Sequence, residues 1–271
     1  MWEAIRHCDG NKAPGPDGFN LYFFKSQWSV VKDNVMMVLD EFFSLGSFDS
    51  KLNKSFITLI PKCAMPTCLN DYRPISLVGS MYKILAKVLA NRLRSVINEV
   101  IGPNQFSFVK GKQILDCSLV ANEVIDDIKR KCEGGLLFKV DFEKAYDSID
   151  WSFLDLVMAK MRFGMKWRKW ISTCVSTVPL SVLVNDSPFR QLKISRGLRQ
   201  GCPLSLFLFN MAAEALSALI HKVVSRSLFN GIKVGYDELP VSHLQYADDT
   251  IIFYEPVLDQ LVNIKKVLKC F

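Results

Sequence analysis

Histidine is scarce in this chain. The three present, His7, His221 and His243, lie far apart without metal-ligand spacing, so a structural zinc is not expected and each reads as a surface or core residue. The eight cysteines, at positions 8, 63, 68, 117, 132, 174, 202 and 270, include no Cys-x-x-Cys pair, and Met1-Trp2-Glu3-Ala4 does not open a secretory leader. Reduced thiols and an intracellular setting, nucleus or cytoplasm, are therefore expected. Long hydrophobic runs are also missing. The nearest approach, residues 203–220, carries Pro203, Asn210 and Glu214, and its uninterrupted stretches fall short of the roughly 20 residues a bilayer requires. It reads as a buried helix, not a membrane span. No repeat or low-complexity tract is visible, which argues against a solenoid. What remains is a 271-residue chain with 49% hydrophobic content, enough to bury a core in one large domain or two subdomains. The net charge of +7 leans toward a polyanionic partner without requiring one.

Residues 11–18, Asn-Lys-Ala-Pro-Gly-Pro-Asp-Gly, are dense in turn formers and predict a loop whose glycines allow close backbone approach. A helix is expected near 30–45 and a strand over 56–60. If the chain then folds back as a hairpin, Lys62 and Arg73 come near each other. Residues 81–101 place Ile84, Leu85, Val88, Leu89, Leu93, Val96 and Ile97 at helical spacing, with Lys83, Lys87, Arg92 and Arg94 mostly off that stripe on a solvated face. A second amphipathic helix spans 114–131. After Gly134-Gly135 the period changes to two: Leu136, Phe138, Val140 and Phe142 face one way, Leu137, Lys139 and Asp141 the other. Helices over 151–161 and 167–176 follow, then a hairpin of strands 181–184 and 189–194 about the turn cluster 185–188. Gly201 and Pro203 open the buried helix.

Two adjacent acids, in Tyr246-Ala247-Asp248-Asp249, sit between the apolar runs 241–246 and 251–254. A carboxylate beside an apolar core costs several kcal/mol unless it is paired or binds a cation. With Asp141 on another apolar strand, three carboxylates on two strands point to a divalent metal. Asp is also a common turn former, so a plain hairpin turn competes with that reading.

Five motifs occur in order: Ala13-Pro14-Gly15-Pro16-Asp17-Gly18; Tyr72-Arg73-Pro74-Ile75-Ser76-Leu77; residues 138–147, Phe-Lys-Val-Asp-Phe-Glu-Lys-Ala-Tyr-Asp; residues 197–205, Gly-Leu-Arg-Gln-Gly-Cys-Pro-Leu-Ser; and Tyr246-Ala247-Asp248-Asp249. Together they resemble the reverse transcriptase domain of a LINE-type, non-LTR retrotransposon, with plant members most similar. The resemblance implies an α+β fold of right-hand polymerase type, with an antiparallel palm sheet packed on helices. Fingers would occupy 1–135 and palm 136–271, with the thumb missing. Nucleotidyl transfer from a dNTP to a primer 3′-hydroxyl suits two Mg²⁺ ions about 3.5–4 Å apart, with Mn²⁺ as substitute, because hard carboxylate oxygens, phosphate and water are their preferred ligands.

Asp141 and Asp248 are then the primary metal ligands, Asp249 a supporting one, and the carbonyl of Phe142 completes the shell by resemblance. Tyr146 would exclude a ribose 2′-hydroxyl, Lys62 and Arg73 would hold the triphosphate, and Gln200 and Gly201 would lie along the nascent base pair. Lys12, Gly15 and Gly18 would touch the template backbone, a contact without sequence information. The implied partners are an RNA template, a DNA primer and dNTPs. Leu206 and Lys110 stand where the family usually has proline. Two other readings stay open: a remnant that binds nucleic acid without turnover, and another Tyr-x-Asp-Asp polymerase such as an intron maturase or a viral RNA-dependent enzyme.

Overall fold

The computed structural model describes every residue except Phe48, Cys132 and Glu133. Its elements in chain order begin with α1 (Trp2–Arg6), α2 (Leu21–Ser26), α3 (Trp28–Leu45), β1 (Ser55–Pro61), β2 (Tyr72–Val78), α4 (Ser80–Val100) and α5 (Ile114–Lys131). Next come β3 (Leu136–Val140), α6 (Ala145–Ser148), α7 (Trp151–Lys160), α8 (Met165–Ser176), β4 (Leu180–Val184), β5 (Ser187–Leu192) and α9 (Pro203–Val224). The chain closes with β6 (Ile232–Val234), β7 (Leu239–Val241), β8 (His243–Tyr246), β9 (Asp249–Tyr254) and α10 (Leu258–Cys270). These form an α+β fold of two compact units, each built from two stretches of chain: Met1–Ser95 with Tyr146–Leu208, and Val96–Ala145 with Phe209–Phe271.

The first unit holds a four-stranded sheet of order β2-β1-β4-β5. β1 folds back on β2 with Ile60 opposite Arg73, as the hairpin expectation required, and pairs in parallel with β4. The β4–β5 turn is shorter than the turn-former cluster suggested. Asn185 and Asp186 both adopt positive φ, 50° and 59°, so they alone make a two-residue turn of the primed kind that matches strand twist. Ser187 and Pro188 join β5, where an edge position tolerates proline.

The second unit is organised by the antiparallel sheet β3-β9-β8, with the small hairpin β6-β7 beside it in sequence. Alternation along β9 sends Ile252 and Tyr254 to one face, against Leu216 and Ile220 of α9 and Ile264 and Val267 of α10. Phe253 goes to the other face and meets Leu244, Ile232, and Cys117 and Val124 of α5. Val140 and Phe142 pack on the first of these faces, in keeping with their place in the period-two pattern. Helix α9 is long and apolar enough to cross a membrane, but 67% of that stretch is buried within the protein, which agrees with a core helix. Leu216 is 0% exposed. Replacing it by alanine removes buried methyl groups and leaves a cavity, so Leu216→Ala should lower unfolding free energy by about 2–5 kcal/mol, whereas Met65→Ala at an exposed loop should stay within about 0.5 kcal/mol. Chemical denaturation of the two variants checks this.

Candidate active site

The three acids lie at one end of the β3-β9-β8 sheet. Val140 pairs with Thr250, so the next residues across that ladder are Asp141 and Asp249, while Tyr246 pairs with Asp249 and leaves Ala247 and Asp248 as the whole of the turn. Asp248-Asp249 is thus both hairpin and acidic site. Strand alternation puts Asp249 on the side of Ile251, which is also the side of Lys139, and Lys139 Nζ lies 3.1 Å from Asp249 Oδ1. The hydrogen bond and charge of Asp249 raise the pKa of Lys139 above its ordinary value. The carboxylates are not buried: Asp141 and Asp249 are exposed and Asp248 is half-buried. Their proximity to an apolar core therefore carries little of the desolvation cost expected of them, because the apolar residues point into the two faces while the acids stand at the open end.

Among the described residues, no three His, Cys, Asp or Glu side chains gather tightly enough to form a protein-only metal cage. The donor set still fits Mg²⁺, which usually takes one or two carboxylates and fills the remaining positions with water and substrate phosphate.

Ala247 is held in an uncommon conformation, φ 53°, for a residue with a Cβ. Its N–H donates to Gln105 Oε1 (3.1 Å) and to Ser107 Oγ (2.9 Å), two residues that sequence reading did not single out as functional. Below the turn, buried His243 pairs with the hydroxyls of Ser217 (2.9 Å) and Ser242 (3.0 Å).

The first unit gathers three other motifs. Leu198 N donates to Tyr146 O at 2.8 Å, Gly197 N to Ile149 O at 2.7 Å, and Trp151 Nε1 to Gly197 O at 2.8 Å. Gly197 is required there: its φ is 95°, and a Cβ would lie 2.9 Å from Asp147 O. Gln200 joins the same cluster through Asp147 Oδ1 (3.2 Å), and its carbonyl accepts from Ser76 N (3.1 Å). Gly201 has room for a Cβ but sits at φ 92°. Arg199 anchors this loop from beneath, its buried guanidinium bonding Asn53 Oδ1 (2.7 Å) and Cys174 O (2.6 Å) and lying 3.6 Å from the centre of the Tyr82 ring. A cavity of about 400 Å³ opens beside it, lined by Pro74, Ser76, Asp147, Arg196 and Gln200 among others.

Arg73 and Lys62 are exposed on the β1–β2 hairpin, where Lys62 Nζ donates to Asn70 O at 2.9 Å. Lys12 is exposed in the first loop. Gly15 owes its place to packing, since a Cβ there would come within 2.3 Å of Val78 O. Gly18, at φ 73°, faces open space.

Residues 60–271 match the family described as reverse transcriptase (RNA-dependent DNA polymerase). The Transposon TX1 uncharacterized 149 kDa protein of Xenopus laevis is 30% identical over 268 residues, covering 99% of this chain and 20% of that protein. The Pol polyprotein from the type-1 retrotransposable element R2 of Popillia japonica is 26% identical over 196 residues, covering 72% of this chain and 26% of the relative. The chain thus spans about a quarter or less of the length of these curated relatives. Among solved structures, a telomerase from Candida tropicalis superposes with a TM-score of 0.53 at 14% identity, over 93% of this chain and 52% of that one, a likeness of fold.

Burial, reinforced by the His221 ring 5.2 Å away, lowers the pKa of His243 from 6.5 to about 3. The unfolded chain takes up a proton below the ordinary value and the folded chain does not. Stability from this residue is therefore complete above pH 6.5 and is lost as pH falls toward 3, at a slope approaching ~1.4 kcal/mol per pH unit. A His243→Gln variant should lack this part of the slope. Urea titrations of both proteins from pH 7 to pH 4 measure the difference.

Proposed function

The chain belongs to the reverse transcriptase family, and from that premise we propose that it is the fingers and palm part, residues 1–135 and 136–271, of an RNA-directed DNA polymerase from a plant-type non-LTR retrotransposon. The observation that carries the reading is the register Val140↔Thr250, which supports a shared role for Asp141 and the Asp248-Asp249 turn. Asp141 and Asp248 would hold the divalent ions, with Asp249 and the carbonyl of Phe142 in support. Mg²⁺ bound there supplies charge neutralisation for the pyrophosphate and lowers the pKa of the primer 3′-hydroxyl.

The chain's own residues set orientation and selection. Arg73 offers a planar guanidinium fork to phosphate oxygens and Lys62 a point charge. Gln200, fixed through Asp147 and Ser76, presents an ordered amide edge to a base pair, with Gly201 giving close backbone access. Tyr146, its backbone tied to the same loop, serves as the bulky side chain that rejects a ribose 2′-hydroxyl. Lys12 and the loop bearing Gly15 and Gly18 contact the RNA template backbone. The chain works inside the cell, in the nucleus or cytoplasm, on RNA template, DNA primer and dNTPs.

Primer extension on an RNA template with dNTPs and Mg²⁺ tests the proposal. Asp141→Asn and Asp248→Asn should each lower incorporation by at least ~100-fold, since several kcal/mol of transition-state charge stabilisation is removed. Equal incorporation by wild type and Asp248→Asn would overturn the metal assignment. Salt-dependent RNA binding without incorporation at any enzyme concentration would overturn the activity. Tyr146→Ala should admit rNTPs; unchanged sugar selectivity would remove Tyr146 from its role.

A further inference from the structure

We infer that Gln105, Ser107 and Asn210 are positioning residues that hold the Ala247-Asp248 turn in the geometry its acids need, an inference that rests on the polymerase reading of that site. The turn is unfavourable in isolation. Ala247 carries a Cβ at positive φ, a conformation that persists only where its surroundings enforce it. Enforcement comes from its N–H, one residue before Asp248, which is received by Gln105 Oε1 and Ser107 Oγ. Ser107 Oγ also lies 3.0 Å from Gln105 Oε1 and 3.2 Å from Asn210 Oδ1, and Asn210 Nδ2 donates to Ser107 O at 2.6 Å. All three residues are 0% exposed, so water cannot replace a lost acceptor, and an N–H left with one of its two acceptors would be held less firmly.

The stretch that presents Gln105 and Ser107 is itself fastened. It lies parallel to β8, with Gln245 N donating to Asn104 O (2.8 Å) and Phe106 N to Gln245 O (2.9 Å). Asn104 Nδ2 donates to His243 O at 2.7 Å, and Gly102 N to Glu214 Oε2 at 3.0 Å. A single ammonium, Lys112 Nζ, then gathers the carbonyls of Gly102 (3.3 Å), Pro103 (2.7 Å) and Gln105 (2.9 Å). A buried patch needed only for filling would be met by apolar side chains. Here acceptors converge on one donor at the hairpin tip.

Gln105→Met removes the acceptor at nearly constant length. Ser107→Ala supplies an independent test should Gln105→Met fail to fold. In the 271-residue chain, Gln105→Met and Ser107→Ala should speed hydrogen exchange of the Ala247 amide about tenfold relative to those of Ile252 and Phe253. Binding of Mn²⁺ alone, followed by water-proton relaxation, should weaken several-fold in both variants. Primer extension should lose kcat with dNTP KM unchanged. Unaltered Ala247 exchange or unaltered Mn²⁺ affinity in a folded Ser107→Ala protein would overturn the inference. Exchange and Mn²⁺ binding require no turnover, so a wild-type chain that fails to extend a primer would sink the polymerase reading while these two measurements still decide the role of the network.

Discussion

Everything at the acidic site depends on one antiparallel ladder. Pairing β3 with β9 and β9 with β8 serves two demands together: it sends Ile252 and Tyr254 into one apolar cluster and Phe253 into the other, and it delivers Asp141 and Asp249 to the same end of the sheet. The core and the site are therefore one register. Side chains that would lose several kcal/mol by facing water enforce the alignment, and the carboxylates, which gain nothing from burial, occupy the end where the apolar demand stops.

The loop around Gly197 shows the same economy in the other unit. Two backbone bonds, one indole N–H and a buried Arg199 fix a segment without regular structure, and the cost of burying that guanidinium is offset by side-chain and carbonyl acceptors and by the face of Tyr82. Gln200 is ordered as a consequence, its side-chain amide on Asp147 and its carbonyl on Ser76. If that amide reads a substrate edge as proposed, such restraint would favour binding, because freedom lost on binding subtracts from affinity.

Much of this was legible in the residues alone. The helix of α4 and the strand β3 both follow from the spacing of their apolar residues, although β3 itself stays largely exposed, and the β1–β2 pairing meets the condition on which Lys62 and Arg73 were expected to approach. The acids stood out because charges between apolar strands demand explanation, and the ladder does bring them to one end of the sheet. Their exposure was not legible, as it depends on where the sheet ends. The small β6-β7 hairpin has three-residue strands, too short to show a period. Gln105 and Ser107 escaped notice for another reason: the bonds from Ala247 to them span 142 and 140 residues, and nothing local to either stretch announces a partner so distant.

A two-residue turn at Ala247-Asp248 also makes chain length there a determinant of where Asp248 stands. An isosteric loss of one carboxylate leaves the ladder intact. A single inserted residue would be absorbed by a longer loop, because β3 and both apolar clusters already hold β9 in register. The sheet would survive such an insertion while Asp248 moved away from the end of β3, so the tip can change shape without cost to the core beneath it.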